Sequence, residues 1–265
     1  MIKPLLKATL KQNYIVFLII TGVLMMYLSI IIGMYNPDTQ DVMNDMLQML
    51  PKQLISAMGF AAADNTLLGF ISSYYYGFLI LLLPMIYTIT VANRSIASHV
   101  DKGSMAYLLS TPNTRSRVAA TQAVFLLLST ALLLSLVTVA GIAISGILFP
   151  DALDIPGFLM VNLGALLLYF AVTGIGFFAS CLFNDTKNSL SIGAGLPVAF
   201  LLLQMISDMG DQTGFFKYFS LFTLFDTDQI IQRDGYLGSF LLLGGIGIML
   251  YTLAIAVFRK RDLPL

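Results

Sequence analysis

Glutamate is missing from this chain: all 14 of its acidic residues are Asp, set against 14 Lys and Arg. Histidine and cysteine occur once each, as His99 and Cys181. Without Glu there can be no His-Glu-x-x-His metal helix and no paired-Glu intramembrane protease. A lone His and a lone Cys cannot build a zinc cluster. Cys181 has no intrachain disulfide partner, and its place near the end of an apolar run reads as a buried, inert thiol. No Gly-x-x-x-x-Gly-Lys-Ser/Thr occurs, so the chain does not bind ATP through a P-loop. Gly-x-Ser-x-Gly is absent too, which removes the usual serine nucleophile elbow. The expectation is a protein that is not an enzyme and carries no metal or cofactor of its own.

Charge is scarce as well. Only 11% of the 265 residues are charged while 58% are apolar, and the mean hydropathy is +0.87. That is too apolar for a soluble domain of this length. Six charge-free runs reach the roughly 20 residues that a membrane-spanning helix needs. They are 14–34, 67–91, 118–149, 155–183, 189–207 and 236–258. A Lys or Arg at mid-bilayer costs about 2.5–3.5 kcal/mol on insertion scales, so charges concentrate between such runs. The first run follows Lys3, Lys7 and Lys11 as in a secretory leader. It is longer than a leader's core and has no small-residue cleavage site, so it reads as an uncleaved anchor.

The six runs sort the remaining charge. Lys3, Lys7, Lys11, Arg94, Lys102, Arg115, Arg117, Lys187, Arg259, Lys260 and Arg261 fall in segments 1–13, 93–117, 184–188 and 259–265. These 11 of the 14 cations share one side, and 11 of the 14 Asp fall on the other, in 35–66, 150–154 and 208–235. An excess of Lys and Arg marks the cytoplasmic side. The fold expected is an all-α membrane protein of six transmembrane helices, one domain over 1–265, with both termini cytoplasmic. No connection is large enough to fold as a separate soluble domain.

Absence of Asp, Glu, His and Lys from the spans removes the groups that a proton or sodium relay uses, and those of a paired-Asp protease. Energy for any transport would have to come from a partner on the cytoplasmic side. What the spans do hold are small residues at close-packing spacing: Gly141 with Ser145, Gly176 with Ser180, Ser189 with Gly193, and Gly244, Gly245 and Gly247. Pro84 and Pro197 are expected to kink spans two and five. Tyr74, Tyr75 and Tyr76 read as an aromatic belt near the outer end of span two.

Two outer segments have structure of their own. In 35–66, Asn36 and Pro37 suit a helix start. Met43, Met46, Leu47, Leu50 and Leu54 then recur at helical spacing opposite Asp38, Asp41 and Asp45. This amphipathic helix is either a gate or ordinary packing at the outer interface. In 208–235, Phe215, Phe216, Tyr218, Phe219, Phe222 and Phe225 are too aromatic for a solvated loop. A hairpin dipping into the membrane before span six is expected, with Phe215, Phe216, Phe219 and Phe222 as candidate extracellular gate residues.

The segment 93–117 is the place to look for function. Ser98 to Thr111 reads as one short helix, with Val100, Ser104, Tyr107, Leu108 and Thr111 along a face and Asp101 in its first turn. Pro112 ends it and Thr114 caps the next helix. Such a rod, tied to spans two and three, could act as a lever on both, or serve only as an interfacial connector.

The run Asp101-Lys102-Gly103-Ser104-Met105-Ala106-Tyr107-Leu108-Leu109-Ser110-Thr111-Pro112-Asn113-Thr114-Arg115-Ser116-Arg117 resembles the segment after the second span of ABC-2 type permeases, the membrane subunits of certain ATP-driven exporters. Ser180-Cys181-Leu182-Phe183-Asn184 and the closing Phe258-Arg259-Lys260-Arg261-Asp262-Leu263-Pro264 resemble the same family, as does the six-span layout. Ala106 stands where the family often has an acid, Ser104 where it has Thr, and Gln122 where Lys is frequent. The resemblance implies two copies of this chain, two separate ATPase subunits that hold ATP and Mg, and a permeation path between the copies. It implies an elbow helix at Met1 to Gln12 on the membrane surface. It also implies a coupling helix over 98–112, with Asp101, Lys102, Gly103, Ser104, Tyr107, Leu108, Leu109, Ser110, Thr111, Pro112 and Arg115 meeting the ATPase. Size and apolar spans favour an amphipathic peptide or hydrophobic compound as cargo, as in small permeases resembling exporters of antimicrobial peptides. No nucleic acid is expected among the partners. A non-transporting scaffold or sensor for signalling or immunity, coupled to the same kind of ATPase, is the alternative; a channel is disfavoured by the lack of a polar stripe.

Overall fold

The computed structural model describes residues 2–36, 66–110, 113–209 and 211–262, together with Met49 and Pro51. The amphipathic stretch expected between Met43 and Leu54 lies almost wholly outside them, as do Thr111 and Pro112. The described residues form helices and no strand. Six of the helices are long and apolar enough to cross a membrane.

Helix α1, Lys3–Met34, is unbroken over 32 residues. The expected separate elbow at Met1 to Gln12 is therefore not a distinct element: it is the first three turns of the span. Pro4 sits in the first turn, where its missing N–H costs nothing, and no proline follows to stop the helix. At about 1.5 Å per residue α1 is about 48 Å long, well beyond a hydrocarbon core of about 30 Å.

Span two comes in two pieces. Helix α2, Leu67–Ile71, is capped by the Thr66 hydroxyl, which accepts from the Gly69 N–H, and passes into a π-helical turn over Ser72–Tyr76. Phe78, at φ −138° and ψ −51°, then breaks the path before α3, Leu79–Ser95. The main interruption is thus the Tyr-rich turn rather than Pro84, which α3 absorbs. Pro84 has no N–H for the Ile80 carbonyl, and Tyr169 fills that gap. The Tyr169 hydroxyl donates to the carbonyls of Ile80 and Leu81, at 2.8 and 2.6 Å, from a fully buried site. In hydrocarbon an orphaned carbonyl is costly, so a neighbouring hydroxyl makes the internal proline tolerable. Tyr169→Phe is expected to destabilise the purified protein by about 1–3 kcal/mol, read from detergent unfolding curves. An unchanged midpoint would mean that Ile80 finds another donor.

Two short helices follow, α4 over Ala97–Asp101 and α5 over Ser104–Leu109, then the long α6, Arg115–Leu148. Helix α7, Ile155–Leu182, is the centre of the bundle and packs against α3 and α6. It also packs against α8, Thr186–Asp208, and the last helix, α10, Tyr236–Lys260. Tyr251 of α10 stacks between Phe170 and Phe177 of α7, and its hydroxyl meets Thr173 at 2.9 Å. Small residues permit this closeness. A Cβ on Gly247 would sit 2.5 Å from the Phe170 ring, and one on Gly193 would sit 3.3 Å from the Gly176 Cα. The spacing of Gly176 and of Gly193 is thereby used as expected, α7 against α8.

Between α8 and α10 lies the expected hairpin. It comprises a 3₁₀ stretch Asp211–Phe219, a 3₁₀ turn Phe222–Leu224 and α9, Thr227–Ile231. The Ser220 hydroxyl donates to the Phe200 carbonyl at 2.7 Å. Phe200 lies eight residues inside the end of α8, so the hairpin descends about 12 Å along that helix before turning back. It packs against α8 rather than standing in solvent.

Candidate functional site at the basic end of the bundle

Both described ends of the chain, with α4, α5 and the α7–α8 turn, gather at the end that carries most of the Lys and Arg. The link between α3 and α6 is not the single helix expected over Ser98 to Thr111. It breaks at Lys102 and Gly103, where Gly103 adopts φ +68°. A left-handed glycine after the last helical turn is a common stop, and it closes α4 and opens α5 at a new angle. The expected face of Val100, Ser104 and Tyr107 is accordingly not shared: Val100 is buried, Ser104 half-buried and Tyr107 81% exposed.

Each part of the link is held by side chains from elsewhere in the bundle. Where Ile96 turns the chain out of α3, the first N–H groups of α4 have no helical partner. The buried Ser180 hydroxyl of α7 accepts from Ile96 N–H at 3.2 Å and Ala97 N–H at 2.9 Å. At the other end of α4, the Asp101 carboxylate accepts from the Thr186 hydroxyl at 2.5 Å and the Thr186 N–H at 3.4 Å. Thr186 opens α8, so Asp101 also sits at the positive end of that helix dipole. The Ser104 hydroxyl donates to the His99 carbonyl at 3.2 Å and lies 3.0 Å from its Nδ1, bracing α5 on α4. Met105 is fully buried and anchors α5, while Leu108 and Leu109 are half-buried. Asp101, Lys102, Gly103, Tyr107 and Ser110 face outward.

The surroundings are equally tied. Arg94 donates to the Asn13 Oδ1 of α1 at 3.4 Å. Thr114 caps α6, as expected, by accepting from the Arg117 N–H at 3.3 Å. The Arg115 guanidinium donates to the Arg261 carbonyl, and Arg261 in turn donates to the Cys181 carbonyl at 2.6 Å and to Asn184 Oδ1. Gln122, in the place where the resembled family often has Lys, is buried and donates to the Thr9 hydroxyl at 3.1 Å. A load applied to α4 and α5 therefore reaches α7 through Ser180 and α8 through Thr186, besides α3 and α6. Sequence reading tied the link to spans two and three alone. Of the residues that extend it, Ser180 stood in a recognised motif without a visible partner and Thr186 stood outside that motif.

At the opposite, acidic end, Phe215, Phe216 and Phe219 are exposed, with the Phe215 and Phe219 rings 5.1 Å apart. Phe222 is not part of that group: it is 1% exposed and packs in the core. Ser220 causes the separation, since its hydroxyl also accepts from the Phe222 N–H at 3.1 Å and turns the chain inward. Cys181 is buried, and among the described residues no three metal-ligating side chains gather.

An α-helical bundle of six spans with a side-chain-braced link at its basic end defines a multi-pass membrane protein. The family model described as ABC-2 family transporter protein matches residues 7–263, and the chain belongs to that family. It is thus a membrane permease of the ABC transporter class, whose members are the membrane subunits and work with a separate ABC ATPase. No curated protein matches the chain significantly.

Proposed function

We propose that this chain is the transmembrane subunit of an ABC exporter in the bacterial cytoplasmic membrane, moving amphipathic peptides or hydrophobic compounds out of the cell. The basic end faces the cytoplasm, in line with the excess of Lys and Arg there. Two copies enclose the path and two ATPase subunits, which hold ATP and Mg, supply the energy. The observation that carries this reading is Tyr107: an aromatic side chain 81% exposed on a link braced into the bundle at Ile96, Asp101 and Ser104. An exposed Tyr on a rigid, six-residue helix is a natural anchor for a groove in a partner protein. Movement of that partner would pass through Ser180 and the Asp101–Thr186 pair into α7 and α8. Phe215, Phe216 and Phe219 remain as the outer gate, with Phe222 as their support from the core. Spans free of charged residues suit cargo that is itself largely apolar.

Co-purification with candidate ABC ATPases tests the reading. Tyr107→Ala is expected to weaken association about thirtyfold, the effect of losing a buried aromatic anchor worth about 2 kcal/mol. In liposomes, the assembled pair should hydrolyse ATP faster when an amphipathic peptide is added. Failure of every ATPase to associate, or full binding by the Tyr107→Ala protein, would overturn the docking role. ATPase binding without stimulation by any peptide would favour the scaffold reading.

A further inference from the structure

A groove of about 200 Å³ runs between α1 and α6 near the basic end, with Tyr87 of α3 as its floor. Its walls are Leu6, Leu10 and Phe17 on α1 and Phe125, Leu128 and Leu132 on α6. Leu10, Leu128 and Leu132 are each more than half exposed. Asn13 and Ser129, which line the groove, already have partners within the protein. Asn13 donates to the Thr9 carbonyl at 2.9 Å and accepts from Arg94, and Ser129 donates to the Leu126 carbonyl at 3.1 Å. Such a surface is chiefly hydrocarbon, with the hydroxyl of the half-exposed Tyr14 beside it.

The foot of the groove is the reverse. Lys3 lies on the same helical stripe as Leu6 and Leu10, at spacings of three and seven residues, and Lys7 flanks it one turn on. The Ile2 N–H donates to the Thr121 hydroxyl of α6 at 3.1 Å, and that hydroxyl donates to the Arg117 carbonyl at 2.8 Å. These two bonds bring Lys3 beside the first turn of α6, where Arg117 is exposed. Neither α1 nor α6 contains an acidic residue. Among the described residues the one salt bridge, Arg233 with Asp154, lies at the other end of the bundle.

We propose that this groove is a binding site for an anionic phospholipid of the leaflet at the basic end. One acyl chain lies between Leu10 and Leu128, and the phosphate headgroup sits among Lys3, Lys7 and Arg117. The charge at the foot selects the occupant: a zwitterionic lipid would fill the same apolar walls but gain little from three uncompensated cations. A basic residue near an anionic membrane surface strengthens binding about fivefold.

The chain has no Trp, so a single introduced one reports on its own position. Leu128→Trp, with Leu132→Trp as a second reporter, is reconstituted in phosphatidylcholine vesicles. These contain either phosphatidylglycerol or phosphatidylcholine brominated on the acyl chains. Brominated phosphatidylglycerol should quench either reporter with an apparent affinity at least fivefold above that of brominated phosphatidylcholine. The preference should shrink by about fivefold for each of Lys3→Gln and Lys7→Gln, and fall with added salt. Val139→Trp, on the exposed outer half of α6, should show no preference. Equal quenching by the two lipids at both groove reporters would overturn the proposal, as would a preference that survives the Lys3→Gln and Lys7→Gln pair. So would the absence of quenching by either lipid, because a second copy or another protein would then cover the groove.

Discussion

Gly103→Val should weaken productive docking of the ATPase about five- to thirtyfold while leaving the bundle folded. Gly103 holds φ +68° and ψ −1°, and a Cβ placed there would meet nothing within 4 Å. The penalty is therefore one of backbone conformation alone. An L-residue in the left-handed region pays about 1–2 kcal/mol, and a β-branched one sits at the upper end. The protein escapes this cost by swinging α5 to another angle, at the expense of the contacts that Met105, Ser104, Leu108 and Leu109 make. A shift of 1–2 kcal/mol moves the population of the docking geometry about five- to thirtyfold, and substrate-stimulated hydrolysis should fall accordingly. Gly103→Asn is the control, because Asn tolerates the left-handed region far better. If the valine variant couples as well as wild type, or if asparagine is equally damaging, the conformational account fails. The unfolding midpoint should be nearly the same for all three proteins.

Much of the architecture is legible in the sequence because insertion energetics are local. Each of the six runs excludes charge by itself, and no distant partner is needed to recognise it. The hairpin before α10 is legible for a similar reason: six aromatic residues between Phe215 and Phe225 mark the segment by themselves, although only Phe222 and Phe225 of them are buried. What the sequence does not disclose is where a continuous apolar run breaks. Leu67 to Val91 reads as one span, yet Gly77 N–H bonds to the Ser72 carbonyl and Phe78 leaves the helix. Conversely, the family resemblance implies a separate elbow at the Lys-bearing start of α1, where one helix runs from Lys3 to Met34. The break at Gly103 had a signal, since a lone glycine inside a helical pattern is a recognised punctuation mark. The bracing of the candidate site had none. Ser180 meets Ile96 across 84 residues and Asp101 meets Thr186 across 85, so each bond exists only once α7 has packed against α3. Phe222 shows the same limit: its spacing groups it with Phe219, and only the Ser220 turn sends it inward.

Arg261→Met should loosen the whole basic end without touching the docking surface. The last carbonyls of α7 have no intrahelical donors, and Arg261 supplies one to Cys181 at 2.6 Å. Its second arm reaches Asn184 in the α7–α8 turn, while its own carbonyl accepts from Arg115 at the start of α6. One residue after α10 thus joins three other elements. Methionine keeps the apolar stem and removes both donors. Because Arg261 is partly solvated, the loss should be about 1–2 kcal/mol, below the full range for charged hydrogen bonds. Thermal unfolding of the purified chain should show a lower midpoint, and Arg261→Lys should recover part of it, since an ammonium can serve one carbonyl but cannot fork to two acceptors. Tyr107 is unaffected by either change, so ATPase association should stay within about twofold of wild type. Turnover should fall more than binding, because the α7–α8 turn that receives Asp101 through Thr186 would no longer be fixed. Equal losses in binding and turnover would place Arg261 in the docking surface itself, and an unchanged midpoint would remove it from the clamp.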